Sequence, residues 1–169
     1  MPNWESGFSE DQYLDILTDA PYNHAKLHRR RPLDNIELCD TMFMRDKTLV
    51  LCHVKDGFNT NMRVLTAQVR SSAELLIDIK MSNRINELSV TRAKYKREKN
   101  MPDFDIITKS ILGIDGYSVE ECVVFNPKDE IEKSVENNNS VIAKYELSLL
   151  IKRWGFDIPL TVSIPGGAN

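Results

Sequence analysis

Between residues 48 and 79 the hydrophobic period changes once, and that change constrains the fold more than any other feature. Thr48–Lys55 (TLVLCHVK) is apolar and β-branched and stops at Asp56-Gly57, a strong turn signal. Asn59 or Thr60 then serves as a helix cap. Leu65, Val69, Ser72, Leu76 and Ile79 follow at helical spacing on one face. A strand that runs straight into an amphipathic helix predicts a sheet with that helix packed on its face.

The rest of the chain fits the same plan. Ser9-Glu-Asp-Gln12 has the form of a capping box and predicts a helix over 10–18, ended by Asp19-Ala-Pro21. Tyr22–His28 and Ile36–Phe43 read as extended, and the second forms a hairpin with Thr48–Lys55 across the polar turn Arg45-Asp46-Lys47. A second, basic helix is expected over 83–99, closed by Pro102. Residues 103–118 are ambiguous between helix and loop. Glu121–Phe125 reads as a buried strand. Ser140 caps a helix with Ala143, Leu147, Leu150, Ile151 and Trp154 on its apolar face and Gly155 as its C′ residue. Asp157–Ile164 is a last strand, marked as an edge by Pro159. The expected fold is therefore α/β, a mixed β-sheet flanked by helices. With 169 residues it forms a single domain: an N-terminal helix and lead-in (1–21), an α/β core (22–165) and a flexible tail (166–169).

Charge is spread unevenly. The net charge is −3, yet residues 61–100 hold nine bases and four acids, and Arg29, Arg30 and Arg31 form a basic run. A chain with a near-neutral total can still present a basic face to nucleic acid. Arg92, Lys94, Lys96 and Arg97 are the expected phosphate contacts, together with Arg29–Arg31; the alternative is a solvated helix end. His24 and His28 flank the arginine run. Cys39, Cys52 and Cys122 are an odd number without a CxxC pair, which argues against a disulfide framework or structural zinc. No apolar run approaches membrane-spanning length, and the acidic N-terminus lacks a signal-peptide core. A cytoplasmic location is expected, with no membrane partner.

The residues that carry chemistry gather on the hairpin. Asp40 lies near the end of the second predicted strand. His53 and Lys55, two apart on the third, leave one face. A carboxylate beside a lysine is what metal-dependent phosphodiester cleavage needs: the acid holds the metal and the lysine supports the attacking water. Asp40 and His53 are the candidate metal ligands, and Asp40, His53 and Lys55 the candidate catalytic set. Gln68 and Ser71 or Ser72, from the following helix, overhang the same place. Glu37 points away from Asp40. Asp40 with Lys55 as a structural ion pair, and His53 as a buried hydrogen-bonded residue, are the competing readings.

The order helix, three strands, helix, strand resembles the restriction-endonuclease-like superfamily, with an extra helix and a C-terminal strand here. The resemblance implies Asp40 as the acid and Lys55 as the lysine of an Asp, then Glu/Asp-x-Lys, motif. His53 stands where the second acid belongs, which suits Mn²⁺ or Zn²⁺ better than Mg²⁺, or a general base. Ile36-Glu-Leu-Cys-Asp40, Leu51-Cys-His-Val-Lys55 and Ala67-Gln-Val-Arg-Ser-Ser-Ala-Glu-Leu-Leu76 also resemble a sporadically distributed bacterial family, of uncharacterised activity, found beside restriction and phage-defence genes. Members carry I-E-x-C-D, then H-V-K, then S-A-E-L, and this chain is similar to their C-terminal half.

Two functions follow as expectations. One is a nuclease-like domain that binds nucleic acid, DNA ahead of RNA, and cleaves it with Mg²⁺ or Mn²⁺. The other is a non-catalytic binding or assembly module of the same fold, with a defence-system protein as partner. The oligomeric state is open, a homodimer included.

Overall fold

The computed structural model describes residues 1–5, 7–27, 36–82, 84–85, 98–126 and 140–165. It is an α/β structure. Helix α1 (Glu10–Thr18) comes first, then strands β1 (Ala25–Lys26), β2 (Thr41–Arg45) and β3 (Thr48–Asp56). Helices α2 (Met62–Met81) and α3 (Phe104–Leu112) lead to β4 (Ser118–Asn126), and α4 (Val141–Lys152) leads to β5 (Leu160–Ser163).

The strands form one open sheet in the order β1-β2-β3-β4-β5. Strand β2 runs antiparallel to both β1 and β3, and β3, β4 and β5 run parallel. Parallel neighbours need crossovers, which the helices supply. Alternation along β3 divides the core. Leu49 and Leu51 pack with Leu75, Leu76 and Ile79 of α2 and Ile107 and Ile111 of α3. Val50, Cys52 and Val54 face the other way, onto Tyr13, Leu14 and Leu17 of α1. Val123 and Phe125 of β4 meet α2 and α4 on the first side. Among the described residues one helix thus covers one face and three cover the other.

Local chemistry fixes these elements as the sequence predicts. The capping box of α1 forms both ways: Gln12 N–H donates to Ser9 Oγ at 3.3 Å and Ser9 N–H to Gln12 Oε1 at 2.9 Å. Asp46 takes the left-handed turn position of the hairpin, with φ of 54°. Ser140 Oγ accepts from Ala143 N–H at the start of α4.

Some expectations are corrected. Strand β2 begins at Thr41, not Ile36; ahead of it, the Leu38 carbonyl accepts from Ser72 Oγ of α2 and not from a strand neighbour. The ambiguous stretch 103–118 contains α3, capped by Asp103 and stopped by Gly113, whose φ of 71° suits glycine. Strand β4 begins at Ser118, three residues earlier than expected. Helix α4 ends with Arg153 as C-cap, so Gly155 is not its C′ residue. Trp154 turns out of the helix, and its Nε1–H donates to Ile158 O at 2.6 Å. Strand β5 is shorter than expected, Leu160–Ser163, with Pro159 just before it. The expected basic helix over 83–99 lies largely outside the described residues, as does the tail 166–169.

Candidate functional site

Asp40 stands one residue before β2. The β2–β3 pairing ends with Thr41 facing Cys52, so Asp40 lies just past the last ladder pair. Its N–H donates to Cys52 O at 2.9 Å, and its carbonyl accepts from Leu27 N–H at 2.7 Å. Its Oδ2 accepts from Val54 N–H at 2.7 Å. The carboxylate thereby takes the place of the next strand carbonyl, and β3 continues past the end of β2 with that amide satisfied.

His53 is buried on the α2 side of the sheet. Its Nε2 lies 2.9 Å from Glu121 Oε2 on β4, and the two side chains are 1% and 0% exposed. Ser72, on the buried face of α2, completes the cluster. Its Oγ lies 2.8 Å from Glu121 Oε1 and 2.7 Å from Leu38 O, so one hydroxyl proton serves two acceptors. Burial is the largest influence on the imidazole and pushes its pKa down. The Glu121 charge and hydrogen bond, with a contribution from Asp40, outweigh it, and the pKa sits above its ordinary value. The arrangement holds a proton between His53 and Glu121 and ties β3, β4 and α2 together.

Lys55 behaves differently. Alternation starts it from the His53 side, yet its ammonium lies 3.0 Å from Glu10 Oε2 of α1, the helix on the opposite face. Both partners are only partly buried, at 23% and 18% exposed. The cation therefore sits near the surface at the C-terminal end of β3.

Asp40 and His53 are thus brought together, and Lys55 is drawn to α1. Gln68 lies elsewhere. It lines an open groove of about 540 Å³ with Ile36, Glu37, Arg63, Val64 and Ala67. Arg29, Arg30, Arg31, Arg92, Lys94, Lys96 and Arg97 lie outside the described residues, as does His28. Among the described residues no group of three His, Cys, Asp or Glu side chains is arranged to hold a metal. His53 does not fit the metal-ligand role: its Nε2 is engaged by Glu121, and its surroundings favour imidazolium, which has no lone pair to give.

Two residues of this cluster were not singled out from sequence, Glu121 and Glu10. Glu121 did leave a signal, since it is an acid opening the apolar run Cys-Val-Val-Phe, where an unpaired carboxylate is costly.

The three cysteines are free and buried. Burial pushes the Cys39 thiol up. Cys52 and Cys122 are register partners on β3 and β4. Away from the site, His24 is buried, stacks on Phe43 with ring centroids 4.0 Å apart, and leaves Nδ1 without a partner. Burial pushes its pKa down to about 4, with a smaller effect from the N-terminal charge.

No family model, curated protein or solved structure matches the chain.

Proposed function

We propose that the chain is a nuclease-like nucleic-acid-binding domain in which the two buried members of the expected catalytic set, Asp40 and His53, are structural. The supporting fold features are a three-stranded antiparallel start, a helical crossover and a parallel fourth strand, as in the restriction-endonuclease-like plan. The observation that carries the structural assignment is the His53–Glu121 contact, sealed from water and braced by Ser72. A histidine so held neither ligates a metal nor exchanges protons with a bound phosphodiester. Lys55, near the surface, is the member of the expected catalytic set that a phosphate can reach; the basic residues of 29–31 and 92–97 are the other proposed contacts. Bound phosphate competes with Glu10 for it. DNA is the proposed ligand, in a defence setting where a protein partner supplies any chemistry.

The experiment is fluorescence-anisotropy titration of single- and double-stranded DNA and RNA at stepped salt concentrations. Binding should weaken linearly in log–log form with salt. Replacing Arg92, Lys94, Lys96 and Arg97 by Glu should abolish it. Binding that ignores both changes contradicts the proposal.

A second reading, metal-dependent cleavage in the cytoplasm, is favoured by the Lys55–Glu10 pair, which sets another carboxylate beside the lysine near the surface. Incubation of DNA with Mg²⁺, Mn²⁺ or EDTA separates the two readings, since only the second predicts metal-dependent products that vanish in Lys55→Ala.

A further inference from the structure

Cys52 of β3 and Cys122 of β4 are register partners on parallel strands, and both side chains pack into the core on the α1 side. Neighbouring strands lie about 4.8 Å apart, within the roughly 4.4–6.8 Å that a disulfide spans between Cα atoms. The two thiols are already in contact, because Cys52 S–H donates to Cys122 Sγ. Cys39 packs on the opposite side of the sheet, in the cluster with Leu75, Leu76 and Ile79 of α2. The sheet thus sorts the three cysteines into one facing pair and one spare.

The pair is asymmetric. The hydrogen bond to Cys122, together with burial, pushes the Cys52 thiol well up. The same bond holds the Cys122 thiol below its ordinary value, against the effect of burial. Cys122 therefore has the greater thiolate character, and the thiolate is the reactive form. Position agrees with this. Cys52 is 0% exposed, whereas Cys122 is 5% exposed and has the exposed Thr161 of β5 as its other register partner. A small oxidant that enters from the Thr161 side meets Cys122 first, with Cys52 directly behind it.

We propose that Cys52 and Cys122 are a redox pair that closes into an intrachain disulfide on meeting hydrogen peroxide and reopens with a thiol reductant. Cys122 Sγ attacks one peroxide oxygen as the thiolate and the O–O bond breaks. The departing hydroxide takes up the proton that Cys122 released and leaves as water, and Cys122 becomes a sulfenic acid. Cys52 Sγ then attacks Cys122 Sγ. The S–O bond breaks, and the hydroxide leaves with the Cys52 proton as a second water. Two thiols are oxidised and one peroxide is reduced to two waters. The bridge ties β3 to β4 next in sequence to His53 and Glu121, whose side chains leave the other face of the sheet.

The test is to treat the folded full chain with hydrogen peroxide, cap the remaining thiols with N-ethylmaleimide in urea, and map the peptides by mass spectrometry without reduction. The expected result is one linked pair of peptides holding Cys52 and Cys122, two hydrogens lighter than the two free-thiol peptides together, with Cys39 capped. Dithiothreitol should restore both thiols. Cys39→Ser should form the same link, and oxidation in urea, where the sheet is gone, should lose the preference for this pair. The proposal is overturned if Cys52 and Cys122 are both still capped at a peroxide concentration that fully oxidises free cysteine in parallel. A link from either one to Cys39 overturns it too, as does a link between Cys52 and Cys122 that forms only in urea. The wild-type map stands even if Cys39→Ser fails to fold.

Discussion

His53 Nε2 and Glu121 Oε2 stand 2.9 Å apart on neighbouring parallel strands, with neither side chain in contact with water. Breaking a pair of this kind from one side strands a buried polar or charged group. Glu121→Gln or His53→Ala should each cost about 3–5 kcal/mol, whereas a matched apolar replacement of both should cost much less. Urea denaturation of the two single variants and of His53→Leu/Glu121→Leu checks this. A double-variant loss as large as the two single losses added together would contradict a coupled pair.

Ser72 should matter through its hydroxyl alone. Ser72→Ala removes the group that satisfies Leu38 O and Glu121 Oε1, both within 2.8 Å. The expected loss is about 1–3 kcal/mol, the penalty for leaving buried acceptors unmet. Ser71→Ala, on the half-buried neighbour, should change stability by less than about 0.5 kcal/mol in the same experiment.

The two buried histidines should bend the pH dependence in opposite directions. His24 has a folded pKa of about 4, below its unfolded value, so the unfolded chain takes up its proton first as pH falls. Its contribution is present above roughly pH 6.5 and is lost between there and about pH 4, on the order of 3 kcal/mol. His53 has a raised folded pKa, so its contribution is full below roughly pH 6.5 and is lost as pH rises through the folded value. His24→Phe should flatten the acid side of the stability curve and His53→Gln the alkaline side. Thermal melts from pH 4 to 9 read both.

Much of the fold was legible because it rests on local signals. The capping box at Ser9, the turn after Asp56 and the helical stripe from Leu65 to Ile79 each act within a few residues, and each appears where the sequence puts it. Placing Asp40 and His53 side by side needed only a hairpin register. Glu121 and Glu10 were less legible because their roles come from distant pairing, 68 residues along the chain from His53 in one case. The direction of Lys55 was missed for a different reason. Alternation fixes where a side chain starts, but a four-carbon stem at a strand end is free to follow the nearest carboxylate.

Lys55 itself should add little to stability. Its partner Glu10 is on the rim, and partly exposed ion pairs contribute about 0–1 kcal/mol. Lys55→Ala should therefore melt within a few degrees of wild type while weakening DNA binding and lowering its salt slope. An unchanged slope would mean that Lys55 makes no phosphate contact.

The most direct test of the proposed function is to measure DNA binding and DNA cleavage on the same preparation, with Mg²⁺, with Mn²⁺ and with EDTA. The structural assignment of Asp40 and His53 predicts salt-sensitive binding that is equal in all three conditions, and intact DNA in each. Metal-dependent cleavage by wild type, abolished by Lys55→Ala in a variant that remains folded, would contradict it.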